Sequence, residues 1–402
     1  MMLRPLRDCA PLCRSLAQTF IPAIGITEHT RSYASSDLAT FAVKNKGLRA
    51  GPGGRSSVSG VVATVFGSTG FLARYVINAL ARQGTQVIVP YRADDIDAQH
   101  LRQMGDLGQV YSWKDFDVRN DDHIRDAIKR SNVVINLIAK DKETWNFGFE
   151  EVNVDIPRRI AKIAAENPLT ERFLHFSCLG ASKDSASRRL RTKAEGEEAV
   201  RSILPEATIY KLAHMVGTED RMYNNYAQLA KSLPFVPIFG SGRTKLQPVY
   251  VRDVANAVIS SLKTKAALGQ DYYLAGPEVF TVREMVDLVF DTIREPKRIV
   301  DVPVAVGKLL AAPRERFFKS VPIPVNYLFT ADNIIENTQD HILPPNVLTF
   351  KDLGIEPSKV TEGFPIEHLR HYRVGGYDFG TTSSTASTGG AGYGGAGSMD
   401  SG

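Results

Sequence analysis

Three places in the chain carry residue types suited to chemistry. The first is Gly67-Ser68-Thr69-Gly70-Phe71-Leu72-Ala73. Gly67 permits a tight turn, Gly70 removes the Cβ that would hold a pyrophosphate away from the backbone, and Ala73 permits close packing of a helix on a strand. Free N–H groups and the positive dipole end of that helix would meet the phosphates, and Ser68, Thr69, Phe71 and Leu72 complete the candidate loop. The second place is Arg92, a permanent cation suited to a phosphate through hydrogen bonds worth roughly 1.5–3 kcal/mol each. The third is Ser177 with Lys193, and Arg189 stands four residues before that lysine.

Positioning these groups requires a particular set of elements. Residues 61–66 are a short apolar, β-branched run, as a buried parallel strand requires. A helical pattern follows with Leu72, Val76, Ala79 and Leu80 on one face; Gly84 ends it, and Val87-Ile88-Val89 forms a second strand. This is a βαβ unit with the glycine loop at its first turn, the context that turns a weak motif into a strong one. An acidic residue after the second strand would bond the ribose hydroxyls of NAD; Arg92 stands there instead, where a 2′-phosphate would lie. NADPH is therefore the expected cofactor, and Asp94 and Asp95 keep NAD as the alternative.

Phe116-Asp117-Val118 is expected to end the third strand, with Asp117 accepting from the adenine amino group and Val118 covering the ring. A helix is expected from Asp121 to Lys129, then a fourth strand through Asn136, Leu137, Ile138 and Ala139, ending near the nicotinamide ribose. A helix over 153–165, a fifth strand over 172–177 and a sixth over 208–212 continue the alternation. The fold class is α/β, a doubly wound parallel sheet of Rossmann type, with a smaller C-terminal domain and disordered ends.

The 402 residues are 43% hydrophobic and 23% charged, which suits a globular chain with one sizeable core. A net charge of +5 is too small and too dispersed to indicate nucleic-acid binding. Only Cys178 lies in the folded region, so no disulfide framework or zinc site is expected, and its apolar neighbours suggest a buried strand end. The histidines lack metal-ligand spacing, and His214 reads as a core or loop residue.

Residues 1–33 are arginine-rich and acid-poor with interleaved leucines, the pattern of a mitochondrial transit peptide cut after Tyr33. Residues 34–60 read as an extended, glycine-containing arm. The dinucleotide-binding domain is expected over 61–295, a C-terminal interaction or substrate-domain-like region over 296–375, and a Gly/Ser/Thr-rich disordered tail over 376–402. In the C-terminal region Leu309, Leu310, Phe317 and Phe318 read first as core of a small domain. With Lys308, Arg314, Arg316 and Lys319 beside them, contact with a membrane surface or a partner is the alternative.

Gly67/Gly70/Ala73, Asp117-Val118, residues 136–139, Ser177, Lys193 to Glu197 and Pro248 to Ala255 together resemble the extended and atypical short-chain dehydrogenase/reductase superfamily. Within it, residues 66–71, Pro90-Tyr91-Arg92, residues 190–197 and the transit-like start resemble the Rossmann-fold accessory subunits of mitochondrial complex I, NADH:ubiquinone oxidoreductase. That resemblance implies bound NADPH and a peripheral, matrix-side place on the inner membrane beside other complex I subunits. It also implies a structural role in assembly or stability of the complex.

Active members of the superfamily use a Tyr four residues before the Lys. The lysine lowers the phenol's pKa and holds the nicotinamide ribose, and the phenol moves the proton. Here that position is Arg189, and no tyrosine occurs between Tyr111 and Tyr210. A guanidinium stays protonated at neutral pH, so no catalytic residue is assigned, while Ser177 and Lys193 are expected to keep cofactor-facing positions. The alternative is an active NADP-dependent matrix reductase or epimerase. Lys183, Arg188, Arg189, Arg191 and Lys193 form a basic cluster relieved locally only by Asp184. It reads as a solvated face, or as a contact for an acidic subunit or anionic lipid.

Overall fold

The computed structural model describes residues 59–92, 94–106, 108–318, 330–361 and 364–373. The expected transit peptide, nearly all of the arm and the 376–402 tail lie outside the described residues.

The strands are β1 (Val62–Phe66), β2 (Gln86–Pro90), β3 (Val110–Trp113), β4 (Val133–Asn136), β5 (Arg172–Cys178), β6 (Thr208–Leu212), β7 (Met215–Val216), β8 (Val236–Phe239), β9 (Lys245–Leu246), β10 (Val249–Tyr250), β11 (Asp271–Leu274), β12 (Phe280–Thr281) and β13 (Ile299–Val302). The helices are α1 (Phe71–Arg82), α2 (Asp95–Arg102), α3 (Asp121–Ile128), α4 (Ile156–Glu166), α5 (Arg188–Ile203), α6 (Met222–Ser232), α7 (Val251–Lys263), α8 (Val282–Ile293), α9 (Val304–Phe318), α10 (Ala331–Glu336) and α11 (Phe364–Leu369).

Seven strands form one parallel sheet in the order β3-β2-β1-β4-β5-β6-β11. The chain runs outward from β1 in one direction and from β4 in the other, so the crevice outside the carboxyl ends of β1 and β4 is the switch point where such sheets take ligands. Both faces of the sheet are covered. Ala63 and Val65 pack with Leu72, Val76 and Leu80 of α1 and Val254 and Val258 of α7. Phe66 and Val134 pack on the other side with Ile124 of α3, Ile160 of α4 and Val200 of α5. The doubly wound α/β expectation holds.

A second core joins Tyr223 and Tyr226 of α6, Ile238 of β8, Val286 and Phe290 of α8, and Val360 and Leu369. Segments from both the 61–295 and the 296–375 stretches build it. A π-helical turn over Glu151–Asp155 leads into α4, so this helix starts two residues before the expected Asn153. Gly196 of α5 faces that turn so closely that a Cβ would fall 1.9 Å from the Asn153 carbonyl oxygen.

Two expectations are corrected. The third strand ends at Trp113, so Asp117 and Val118 lie in the turn beyond it, which Asp115 opens with a φ of 60°. Leu309 and Leu310 do not join a core: they are 74% and 66% exposed, because α9 turns Gly307 onto the Phe239 ring and leaves them outward. The side chains of Phe317, Phe318, Arg314, Arg316 and Lys319 lie outside the described residues.

Candidate nucleotide-binding site

The glycine loop leaves β1 at Gly67 with a φ of 80°, and a Cβ there would lie 3.0 Å from the Leu137 carbonyl carbon. The loop thus abuts the end of β4 at a distance only glycine allows. The Gly70 amide donates to the Gly67 carbonyl at 3.1 Å and closes the turn. Gly70 is the N-cap of α1 and makes no side-chain cap, so the first amides of the helix are left for an outside acceptor. Its backbone is extended, and a Cβ would meet within the protein only the Gly67 oxygen at 3.2 Å. Space for a close approach is therefore kept there. The buried Ser68 hydroxyl donates to the Pro90 carbonyl at 3.0 Å and ties the loop to β2. Leu72 is in the core, Thr69 is half-buried, and the Phe71 ring packs edge-on to Tyr75 and close to Gly217. For these residues the backbone, not the side chain, is what the loop offers a phosphate.

Beyond β2, Arg92 is exposed, with its guanidinium 4.6 Å from the Phe147 ring centre. Asp95 is engaged elsewhere: it accepts from the Tyr91 hydroxyl at 2.9 Å and pairs with Lys114 at 3.3 Å, and these two partners hold its carboxyl below the usual range. Asp117 is exposed, with one carboxylate oxygen accepting the Arg119 amide at 2.9 Å. Val118 does not face the crevice as expected; its side chain is buried in the helix layer with Phe66 and Ile124. At the end of β4, Asn136 Oδ1 accepts the Ile138 amide at 3.2 Å, while its Nδ2 meets His175 Nδ1 at 3.2 Å. Leu137 and Ile138 are half-buried and Ala139 is exposed.

Lys193 is 4% exposed, and its Nζ donates to the Phe176 carbonyl at 3.2 Å. Burial pushes its ammonium below the ordinary lysine range. That single bond uses one of three donors, so the buried ammonium keeps capacity for hydroxyl acceptors. Ser177 is buried toward Glu197, whose carboxyl burial raises and Lys211, at 3.0 Å, draws back down. Burial pushes the Cys178 thiol up, which disfavours its thiolate.

Arg189 is part of a closed arrangement. It forks onto Glu336, with Nε to Oε2 at 3.1 Å and Nη2 to Oε1, and the two side chains are 16% and 5% exposed. Burial alone would lower the guanidinium's affinity for its proton, but the Glu336 charge outweighs it and raises it. Asp332 accepts the Arg188 and Arg189 amides at 2.7 and 2.9 Å and the Ser187 hydroxyl at 3.0 Å. Downstream, Gln339 bonds Ser185, His341 Nδ1 donates to the Leu179 carbonyl at 3.2 Å, and the His341 amide donates to the Lys245 carbonyl. Residues 330–341 thus form a strap from the start of α5, across the end of β5, to β9. His214 stacks edge-on to His341, and burial pushes it down to about 4.

The basic cluster is corrected by the same contacts. Arg188 pairs with Glu143 and Glu150, Arg189 with Glu336, and Lys183 with Glu198. Three of the five cations are thus paired, Arg188 and Arg189 by acids from distant segments, while Lys193 is buried and Arg191 stays exposed. Among the described residues, no three His, Cys, Asp or Glu side chains gather as a metal set, and no helix is long and apolar enough to cross a membrane. The sequence reading missed Asp332, Glu336, His341, Lys140 and Phe147. Ser187, the N-cap of α5, is the one local feature of the sequence at the point where Asp332 docks.

A glycine turn at the switch point of a seven-stranded parallel sheet, with a lysine buried below it, matches a known group. Residues 63–276 match the model of the NAD dependent epimerase/dehydratase family. The chain belongs to that family. It is 47% identical over 353 residues to the Arabidopsis thaliana mitochondrial protein named NADH dehydrogenase [ubiquinone] 1 alpha subcomplex subunit 9, covering 87% of each chain. It is 42% identical to the Mus musculus protein of the same name, covering 81% of this chain and 84% of that one. The resemblance to complex I subunits read from residues 66–71 and 190–197 is borne out. Among solved structures, a dTDP-glucose 4,6-dehydratase from Bacillus anthracis in complex with NAD aligns over 78% of this chain and 96% of that one. The TM-score is 0.58 at 15% identity, a likeness of fold.

Proposed function

We propose that this family member is a non-catalytic accessory subunit of mitochondrial NADH:ubiquinone oxidoreductase that holds NADPH on the matrix side of the inner membrane and stabilises the assembly. The observation that carries this reading is the buried Arg189–Glu336 pair. A bound nicotinamide supplies hydride chemistry, and the proton that accompanies it needs a titratable donor. Arg189 cannot be that donor, and its pairing with Glu336 keeps it protonated and in place. The 330–341 strap lies over the same helix end, where a substrate would have to approach.

The binding half supports a held nucleotide. The α1 amides would take the pyrophosphate, Lys193 Nζ the nicotinamide ribose hydroxyls, and Arg92 a 2′-phosphate. The engagement of Asp95 by Tyr91 and Lys114 removes one of the two acids that could meet the ribose of NAD, which leaves the exposed Asp94 as the other, and Arg92 beside them favours NADPH. Naming of the relatives as complex I subunits supports the partner assignment. Blue-native electrophoresis of mitochondrial membranes with antibody detection tests it: co-migration with complex I is expected, and migration only as a free monomer contradicts it.

A further inference from the structure

Three cations gather on one aromatic ring beyond the end of β4. Phe147 has Arg119 4.3 Å, Arg92 4.6 Å and Lys140 5.0 Å from its ring centre. The ring is fixed by a reciprocal backbone pair, with the Thr144 amide donating to Phe147 O at 3.0 Å and the Phe147 amide to Thr144 O at 3.2 Å. Lys140 Nζ donates to the Thr144 hydroxyl at 2.8 Å, which sets the ammonium above the same turn.

The three cations are not equivalent. Arg119 is neutralised by Glu151 through bonds of 2.6 and 3.0 Å. Asp95 is engaged by Tyr91 and Lys114 and Glu143 by Arg188, and the exposed Asp94 forms no ion pair with Arg92. Among the described residues, Arg92 and Lys140 have no carboxylate within ion-pair distance. Lys140 is half-buried, and burial together with the Arg92 and Lys142 charges pushes its ammonium down. Two like charges brought to one ring repel each other, the Glu151 charge offsets this at Lys140 only in part, and an anion of two charges between them removes the remaining cost.

Resting on the NADPH reading above, we propose that Lys140, carried with Arg92 on the Phe147 ring, is the second cation of a 2′-phosphate cradle and sets the preference for NADPH over NADH. The placement fits the ligand. Arg92 follows β2, where the adenosine ribose of a dinucleotide lies, and Lys140 follows the end of β4, which the glycine loop touches at Gly67. A phosphomonoester accepts from a guanidinium fork and an ammonium at once, whereas the bare hydroxyl of NADH neutralises neither.

The test is calorimetric titration of the full chain, freed of nucleotide, with NADPH and NADH, for wild type, Lys140→Gln, Lys140→Arg, Phe147→Leu and Arg92→Gln. Loss of one charge-assisted contact predicts about tenfold or more weaker NADPH binding in Lys140→Gln, with NADH changed less than about twofold. Lys140→Arg should keep most of the preference, and Phe147→Leu should weaken NADPH through both cations. The unchanged NADH affinity serves as the control for folding. If Lys140→Gln keeps wild-type NADPH affinity while Arg92→Gln loses it, the Lys140 proposal is overturned and the NADPH reading stands. If wild type binds both nucleotides equally, the NADPH reading fails and the cradle with it.

Discussion

The two halves of the crevice use their polar groups in opposite ways. On the β1–β2 side, the α1 amides lack a cap, Arg92 and Lys140 form no ion pair among the described residues, and Gly70 keeps open a space that the protein does not itself require. On the β5–α5 side, the start of α5 is capped by Ser187 and Asp332, Arg189 is bound by Glu336, and His341 covers the end of β5. Polar groups left open in the first half await a ligand; those of the second half are satisfied by the chain itself. Lys193 sits at the boundary, buried with one carbonyl partner and capacity to spare. On the proposed reading, the chain keeps a cofactor seat in the first half and has turned the second into structure.

The largest effect should come from breaking the closed half. Glu336→Ala leaves a buried guanidinium with only the Asp141 carboxylate, 3.9 Å away, a loss that for a broken buried pair costs up to about 3–5 kcal/mol, and thermal unfolding should show it whether or not nucleotide is present. The double variant Arg189→Met/Glu336→Leu should recover most of that loss, since it removes both charges. A small loss in Glu336→Ala would mean that the pair is not the tie described.

The open half should behave in the reverse manner. Gly70 has an extended backbone that a branched residue tolerates, so Gly70→Val should leave the nucleotide-free protein nearly as stable as wild type. It should abolish the stabilisation by nucleotide, roughly 2.7 kcal/mol at a hundredfold excess over Kd. Melting curves with and without NADPH separate the two cases. Retention of stoichiometric nucleotide by Gly70→Val would refute the loop assignment.

Packing under the site gives a smaller effect. At Gly196 even a methyl would strike the Asn153 carbonyl, so Gly196→Ala should force α5 away from the π-helical turn at a cost of about 1–3 kcal/mol. Denaturant unfolding measures it, and a neutral result would show that the π-turn yields freely.

The pH dependence of stability sharpens the contrast further. Burial pushes His175 down to about 3 and His214 to about 4, both below the unfolded value of 6.5. Below that value the unfolded chain takes up protons that the native state refuses. Stability from these groups is therefore full above about 6.5 and falls as pH drops, at up to about 1.4 kcal/mol per pH unit for each group. Asp220, raised by burial to about 6, opposes this trend between 3.8 and about 6, because there the native state holds the extra proton. Urea midpoints from pH 7.5 to 4.5 should fall, and His214→Asn should flatten the slope.

Much of this was legible because it is local. The β1–loop–α1 unit, Arg92 and the strand alternation are written in contiguous residues whose periodicity reports burial. The closed half was not legible, because Arg189 and Glu336 are 147 residues apart and no periodicity links them. For the same reason a run of arginines looked like a free cationic face when its acids lie at Glu143, Glu150 and Glu336. Val118 was misplaced because an apolar residue after an edge strand carries no mark of which layer it joins. Lys140 and Phe147 escaped notice because the cation–ring contact depends on a turn at 144–147 that composition does not announce.

The most direct test of a kept seat beside a closed reaction centre is NADPH oxidation by the purified protein against aldehydes, ketones and quinones, run beside Lys193→Ala. The account predicts a flat trace for both proteins, with nucleotide recoverable from the wild type. Sustained multiple-turnover oxidation by the wild type that disappears in Lys193→Ala would contradict it and restore the reductase.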